Sequence, residues 1–388
     1  MSKIKANQLV KDAFLSTVMT FVIAGILYFT FINLAVLDPF EKAFKDFKFT
    51  DIFYSERFNS SKRSDNIVLV NVKHANRFEL AQAIDKVNGN NPKALGVDII
   101  FKDLKLAFTD SILKETLSRT PNLVLSYYKD GDSIVENHDY FNIPDASKGY
   151  INLDLEGQNT VVRDFLGYNK NLDAHSFSAE LLLKSGQIDT DFIDQRLKKP
   201  IPINYIGGDD MFLSFDIEEV MASETIPAMK NAIVLLGYLG DENPEFDIED
   251  KHFTPLNKAW VGRAVPDTYG VTIHANIMNM FLSKSLLYRA PNFIIYLIAI
   301  ILCFGLTYVT MKLYLKNNFV FDIIQRPIQL VFSVLLLYLA LLLLQTNIYL
   351  DVIPIILLCL LGLEMIDYYV YLVEYLNKKF GWQSMLLS

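Results

Sequence analysis

Cysteine is nearly absent from the chain. Cys303 and Cys359 are the only two, both inside apolar runs, so no disulfide framework or thiolate metal site can be read from their spacing. Positive charge is also scarce. A formal net charge of -8 offers no clustered basic face to neutralise phosphates, which excludes a nucleic-acid binder. Seventeen Gly and thirteen Pro in 388 residues exclude fibrous and low-complexity architectures, and no internal repeat is visible. Charged residues at 21% against 52% hydrophobic exclude intrinsic disorder. Catalytic signatures are missing too: no G-x-x-x-x-G-K-[ST] loop, no H-R-D or D-F-G set and no nucleophile elbow occur, so neither an enzyme nor a cofactor is expected.

What the chain has in abundance is apolar length, with a mean hydropathy of +0.24. A spanning helix needs about 20 predominantly apolar residues to cross a hydrocarbon core of roughly 30 Å. Four stretches meet or approach that: 14–37, 293–311, 328–345 and 352–373. The first has no charged residue and no A-x-A-like site after it, so it reads as a retained anchor rather than a signal peptide. TNIYLD, between the last two, suits a tight helical hairpin.

The expected organisation is a short N-terminus (1–13), a first span (14–37), a large domain (38–290), a second span (291–312), a loop (313–327), two further spans (328–346 and 350–376) and a tail (377–388). Only eight Lys/Arg fall outside 38–290, and in a four-span arrangement all lie on one side, which the positive-inside rule makes cytoplasmic. Both termini are then cytoplasmic, and the domain is extracytoplasmic, in a bacterial inner membrane.

Within that domain, strand-like NIVLVNV (66–72), a helical stretch at 78–87, the run KALGVDIIF (93–101), a helical stretch at 110–119 and NLVLSYY after Pro121 alternate. Continuous apolar strands alternating with helices predict a mainly parallel, three-layer α/β sheet. GYINLD, a helix at 177–184, PIPINYIG, NAIVLLGYLG and the helix VTIHANIMNMFL continue the pattern less regularly.

These pieces also carry a resemblance. ALGVDIIF (94–101) with Asp110 at the next helix start, GYINLD followed by TVVRDF, INYIGG, AIVLLG, HFTP (252–255) and GVTIHANIMNMFL (270–282) stand in the order seen in the second type of CHASE sensor domain. One span precedes that domain and three follow it, as here. The chain departs from the family at NVKHANRFEL, where relatives usually carry a small-residue turn and a Trp-Pro-Trp-like stretch. Relatives commonly continue into a kinase or cyclase, whereas this sequence ends at Ser388. The resemblance implies an input module that binds a ligand or envelope protein and acts through a separate partner. The alternative is a scaffold subunit of a cell-envelope complex.

Candidate residues follow from position and chemistry. Asp98 ends a predicted parallel strand, where open α/β sheets place their ligand crevice, and Asp110 follows in the same connection. Thr109 or Asp110 as a helix N-cap is the structural alternative. Asp250, His252 and His274 have the chemistry of divalent-metal ligands, but their spacing fixes no converging geometry and no metal is assigned. Otherwise HFTP builds a turn, and the H-A-N at 274–276 satisfies buried backbone groups near a helix start. Glu364 and Asp367 lie three apart in the last span, Glu364 about 18 Å into the bilayer at ~1.5 Å per residue. A buried acid there calls for docking to another membrane subunit or, alternatively, snorkelling toward Arg326, Lys378 or Lys379. Expected partners of the chain as a whole are the lipid bilayer, another membrane or envelope protein, or a second copy.

Overall fold

The computed structural model describes residues 3–31, 48–56, 58, 62–153, 161–241, 248–259 and 265–387. The end of the first span, the last residue of GYINLD, the first of TVVRDF, and residues 242–247 and 260–264 lie outside the described residues. The chain divides into two units, Ala43–Tyr288 and the combination of Met1–Lys42 with Arg289–Ser388.

In the first unit, residues of β1 (Ser64–Asn71) alternate between two covered faces. Val68 and Val70 enter one hydrophobic cluster, while Ile67 and Leu69 enter another. Burial on both faces explains why the strand reads as an unbroken apolar run. The chain continues through α2 (Arg77–Gly89), β2 (Ala94–Val97), α3 (Ala107–Arg119), β3 (Leu123–Asp130), β4 (Ser133–Val135), β5 (Ser147–Tyr150) and α4 (Phe177–Lys184). It ends through β6 (Phe212–Asp216), α5 (Ile217–Ala222), β7 (Ile233–Gly237) and α6 (Gly270–Leu282).

The sheet order is β6-β1-β7-β2-β3-β4, with β5 also paired to β3. Every pairing is parallel except the β3–β4 hairpin. Helices α2, α3 and α5 pack Leu80, Ile84, Leu113, Leu117 and Val220 on one face. On the other face, α4 and α6 pack Phe177, Leu181, Val271, Ala275 and Met278. The result is the three-layer, mainly parallel α/β sheet that the alternation of elements predicts.

Local chemistry sets the boundaries. Asn76 caps α2 by accepting from Phe78 N (2.9 Å) and Glu79 N (3.1 Å), while Glu79 accepts from Asn76 N (2.8 Å). Such a reciprocal box satisfies donors the helix cannot satisfy itself. The run KALGVDIIF is strand only over Ala94–Val97, and PIPINYIG pairs only as Ile201–Pro202 with Asp164–Phe165 in a separate two-stranded sheet.

Among its described residues the second unit contains four helices long and apolar enough to cross a membrane: α1 (Lys3–Phe31), α7 (Asn292–Tyr314), α8 (Asn318–Gln345) and α9 (Ile353–Phe380). Two differ in extent from the apolar runs. Helix α1 begins well before residue 14 and includes Asp12; α8 begins at Asn318, where Asn317 accepts from Val320 N (3.2 Å), and carries Pro327 internally. Gly362 of α9 lets α1 and α7 approach closely. A Cβ there would sit 2.5 Å from Cys303 Sγ and 3.7 Å from both Thr20 and Thr307.

Asp12 is fully buried and accepts from Tyr369 Oη (3.1 Å), Ser384 Oγ (3.0 Å) and Met385 N (2.9 Å). Gly381, at φ 68°, supplies the left-handed residue that ends α9 and turns the tail back toward α1. There Lys11 lies 4.3 Å from the Trp382 ring centroid.

Candidate functional site

Strand β2 ends at Val97, and Asp98 N–H still donates to Leu236 O (2.8 Å), so Asp98 stands at the C-terminal edge of the sheet. Beside it on β3, Ser126 is 1% exposed, and its hydroxyl faces the Asp98 carboxyl. Burial is the main cause that pushes the Asp98 carboxyl up to about 7; the charge of Asp250 adds to the shift and the Ser126 hydroxyl opposes it. Asp98 as a residue is half-buried, so it keeps some access to water.

Asp250 and His252 reach the same edge through an antiparallel pair, Lys251–His252 against Thr268–Tyr269, which leads directly into α6. Asp250 takes a left-handed φ of 55°, and its carbonyl accepts from Gly270 N–H (3.0 Å). A Cβ on Gly270 would lie 3.4 Å from one Asp250 carboxylate oxygen and 3.6 Å from His252 Nε2. Although the Asp250 residue is exposed overall, its carboxyl faces this protein wall, and burial with the charge of Glu249 pushes it up to about 6.

His274, one turn into α6, is buried against Phe177 (5.3 Å between ring centroids, edge-on), with Nδ1 2.9 Å from Ser178 Oγ. Burial, with a smaller contribution from the charge of His252, pulls it down to about 3, so the ring is neutral near pH 7. Asn276 accepts from Ile206 N (2.8 Å) and donates to Gly207 O (3.0 Å), serving buried backbone groups at the helix start. HFTP is likewise part of a built turn: Asp267 accepts from Thr254 N (2.9 Å) and Asn257 Nδ2 (3.1 Å).

Asp250 and His252 thus meet against Gly270, and their charges reach Asp98 at the strand end and His274 inside α6, although the four come from a strand end, a hairpin and a helix. Asp110 stands apart on the opposite face. It is buried and bonded to Arg77, and it accepts from Lys105 N (2.7 Å). Burial raises its carboxyl, but the Arg77 and Lys105 bonds and charges outweigh that and hold it below the usual range. In the helical unit, Glu364 is bonded to Arg326 Nη1 (2.6 Å) and Gln329 Nε2 (2.8 Å), while Asp367 is exposed. Among the described residues no three His, Cys, Asp or Glu side chains form a group that could hold a metal ion.

Sequence reasoning did not single out Ser126, Arg77 or the cleft at the end of β1. That cleft, about 270 Å³, is lined by Lys73, His74, Glu79, Glu218, Met221 and Asp241 among others. Lys73 pairs with Asp216 (2.9 Å) and Glu218 (3.2 Å), and His74 with Asp241 (3.2 Å). The departure at NVKHANRFEL was the available signal, since it sets two basic residues directly after a strand.

A mainly parallel α/β unit with a carboxylate-bearing edge, joined to four membrane-length apolar helices, defines a multi-pass membrane protein with an input-type domain. The family model for the CHASE2 domain matches residues 19–310, and the chain belongs to this family of extracytoplasmic sensor domains. Neither a curated protein nor a solved structure matches it.

Proposed function

We infer that the α/β unit is the input side of a non-catalytic membrane sensor and takes its signal in the crevice at the C-terminal sheet edge. The observation that carries this reading is the placement of Asp98 and Ser126 on adjacent strand ends, with Asp250 and His252 gathered against Gly270 at the start of α6. Side chains gathered from distant segments at a strand-end edge are the usual makings of a ligand site in open α/β sheets. The four helices pass the change to a separate membrane partner; an even number of crossings leaves both termini on the cytoplasmic side of a bacterial inner membrane. Signalling requires that the ligand bind two states with different affinity.

One observation favours a second reading, a fixed scaffold platform. Leu104 and Leu106, just before α3, and Phe108 in its first turn stand 50%, 70% and 69% exposed, with Phe78 stacked on Phe108. Large exposed apolar patches mark interaction surfaces. Hydrogen exchange on the intact chain in nanodiscs, with and without periplasmic small-molecule fractions, separates the two. Protection at 98–101 and 248–259 accompanied by altered exchange in 353–380 supports the sensor. Protection at 104–108 that appears only with periplasmic protein, with the crevice unchanged, supports the platform instead.

A further inference from the structure

Helices α1 and α7 run antiparallel: Leu9 and Met311 share one hydrophobic cluster, and Val22 of α1 and Ile300 of α7 line one groove. That groove, about 650 Å³, lies between Phe14, Val18 and Val22 on α1 and Ile300, Ile301 and Phe304 on α7. Thr17 is the one polar residue of its lining, and its hydroxyl is already bonded to Ala13 O (2.8 Å), so the wall is apolar. The extent of the groove decides what fits it. Phe14 to Val22 covers about 12 Å at ~1.5 Å per residue, close to one leaflet of a hydrocarbon core roughly 30 Å thick. A spanning helix of another protein needs a face about twice that long.

One end of the groove is basic. Lys11 stands one turn before Phe14 on α1, and Lys312 follows Phe304 and Tyr308 at four-residue steps on α7, so both continue the faces that line the groove. Lys11 is about 10 Å from Val18 and Lys312 about 12 Å from Phe304 along their helices, which brings both lysines to the same end. Their Nζ atoms lie 4.3 Å from the Trp382 ring centroid and 5.8 Å from that of Tyr308. Rings of this kind mark the headgroup level of a bilayer. Both lysines are exposed, and neither has a salt bridge among the described residues. Asp12 is the one acid on either helix, and its carboxylate is buried and bonded to Tyr369, Ser384 and Met385. Lys316, Asp322, Asp367, Glu374, Lys378 and Lys379, the other charges described toward this end, line no part of the groove, and Glu364 is paired with Arg326.

We propose that this groove binds an anionic phospholipid of the leaflet on the side of the chain termini, with one acyl chain between α1 and α7 and the phosphate held by Lys11 and Lys312. The apolar wall takes the chain, and two ammonium groups without carboxylate partners give charge-assisted bonds to the phosphate oxygens. A zwitterionic headgroup brings its own ammonium toward the lysines and fits less well. The proposal requires only that α1 and α7 span a bilayer, so it stands apart from the crevice of the α/β unit.

The test is native mass spectrometry of the full chain released from detergent and titrated with dioleoyl phosphatidylglycerol or dioleoyl phosphatidylcholine. One phosphatidylglycerol binds per chain, more tightly than phosphatidylcholine. At about fivefold per lysine, Lys11→Gln combined with Lys312→Gln weakens it by about 25-fold. Val18→Trp fills the groove, leaves both charges in place and weakens both lipids. Lys378→Gln combined with Lys379→Gln removes two charges outside the groove and changes little, and excess glycerol 3-phosphate displaces nothing. Absent or equal binding of the two lipids, an equal loss in the Lys378 and Lys379 variant, or binding untouched by Val18→Trp overturns the proposal. Displacement by glycerol 3-phosphate overturns it in favour of a free phosphate. A dimer or a copurifying helix that is lost in Val18→Trp while no lipid binds gives the groove to another protein instead. None of these results bears on the sensor reading.

Discussion

Replacing Arg77 by Met tests how the crevice edge is held from the opposite face. The Arg77 side chain is 6% exposed and that of Asp110 is 3% exposed. The guanidinium bonds Asp110 and the carbonyl of Asp103, and it lies 5.9 Å and 5.0 Å from the ring centroids of Phe101 and Phe141. Removing it leaves Asp110 with the Lys105 N–H as its remaining partner and strips the 102–106 loop of its anchor. Breaking a buried pair from one side costs about 3–5 kcal/mol, because a charge stays buried without its partner. In a unit of this size each kcal/mol moves the melting temperature by roughly 2–4 °C, so Arg77→Met is expected to lower it by roughly 6–20 °C. Thermal unfolding of the full chain in detergent, followed by circular dichroism, reads this directly. The double variant Arg77→Met with Asp110→Leu regains most of the loss, since apolar replacement of both partners removes the stranded charge. A single-variant shift under roughly 3 °C, or a double variant as unstable as Arg77→Met alone, refutes the argument.

Asp98→Asn has a pH signature. The raised carboxyl favours the folded state fully below its ordinary value, and that contribution is lost as pH rises through about 7. The variant is therefore more stable than wild type at pH 8 by on the order of 1–2 kcal/mol, discounted for partial solvent access, and the gain vanishes near pH 4. Melting curves across pH check it; a gain that persists unchanged at pH 4 contradicts it. In the helical unit, Gly362→Ala forces Cys303 Sγ away from 2.5 Å and is expected to cost about 1–3 kcal/mol by overpacking. Gly305→Ala, with nothing within 4 Å, leaves the thermal stability in detergent nearly unchanged. Asp12→Ala removes the acceptor of three hydrogen bonds and is expected to cost about 2–4 kcal/mol. Amide exchange at Met385 should rise sharply, and unchanged protection there counts against the clamp.

The three-layer sheet is legible in the sequence because its strands are buried on both faces and its helices end in clear signals. Helix 177–184 was assigned with the bounds the structure has, and Asn76 with Glu79 spells a capping box. Strand β6, FLSFD, was missed: as an edge strand it is largely exposed and alternates too weakly to stand out. Asp98 was readable from its place at a strand end. Its meeting with Asp250 and His274 was not, since long-range convergence leaves no periodic trace. Ser126 gave no signal at all, being one polar residue inside an apolar strand. Asp12 lies just before the charge-free apolar run, so the run itself does not mark it, although the helix extends through it.

Among the described residues, the hydrogen-bond partners of the Asp12 carboxylate all come from the last part of the sequence, at Tyr369, Ser384 and Met385. Synthesis runs from the N-terminus, so α1 reaches the bilayer while its buried acid still has none of these donors. The whole sheet domain and three more helices must emerge first. Contacts this distant in sequence form late and slowly. The contacts at Asp12 are therefore among the last to close during biogenesis, and a chain interrupted before residue 384 leaves that buried carboxyl with Tyr369 as its one remaining donor of the three.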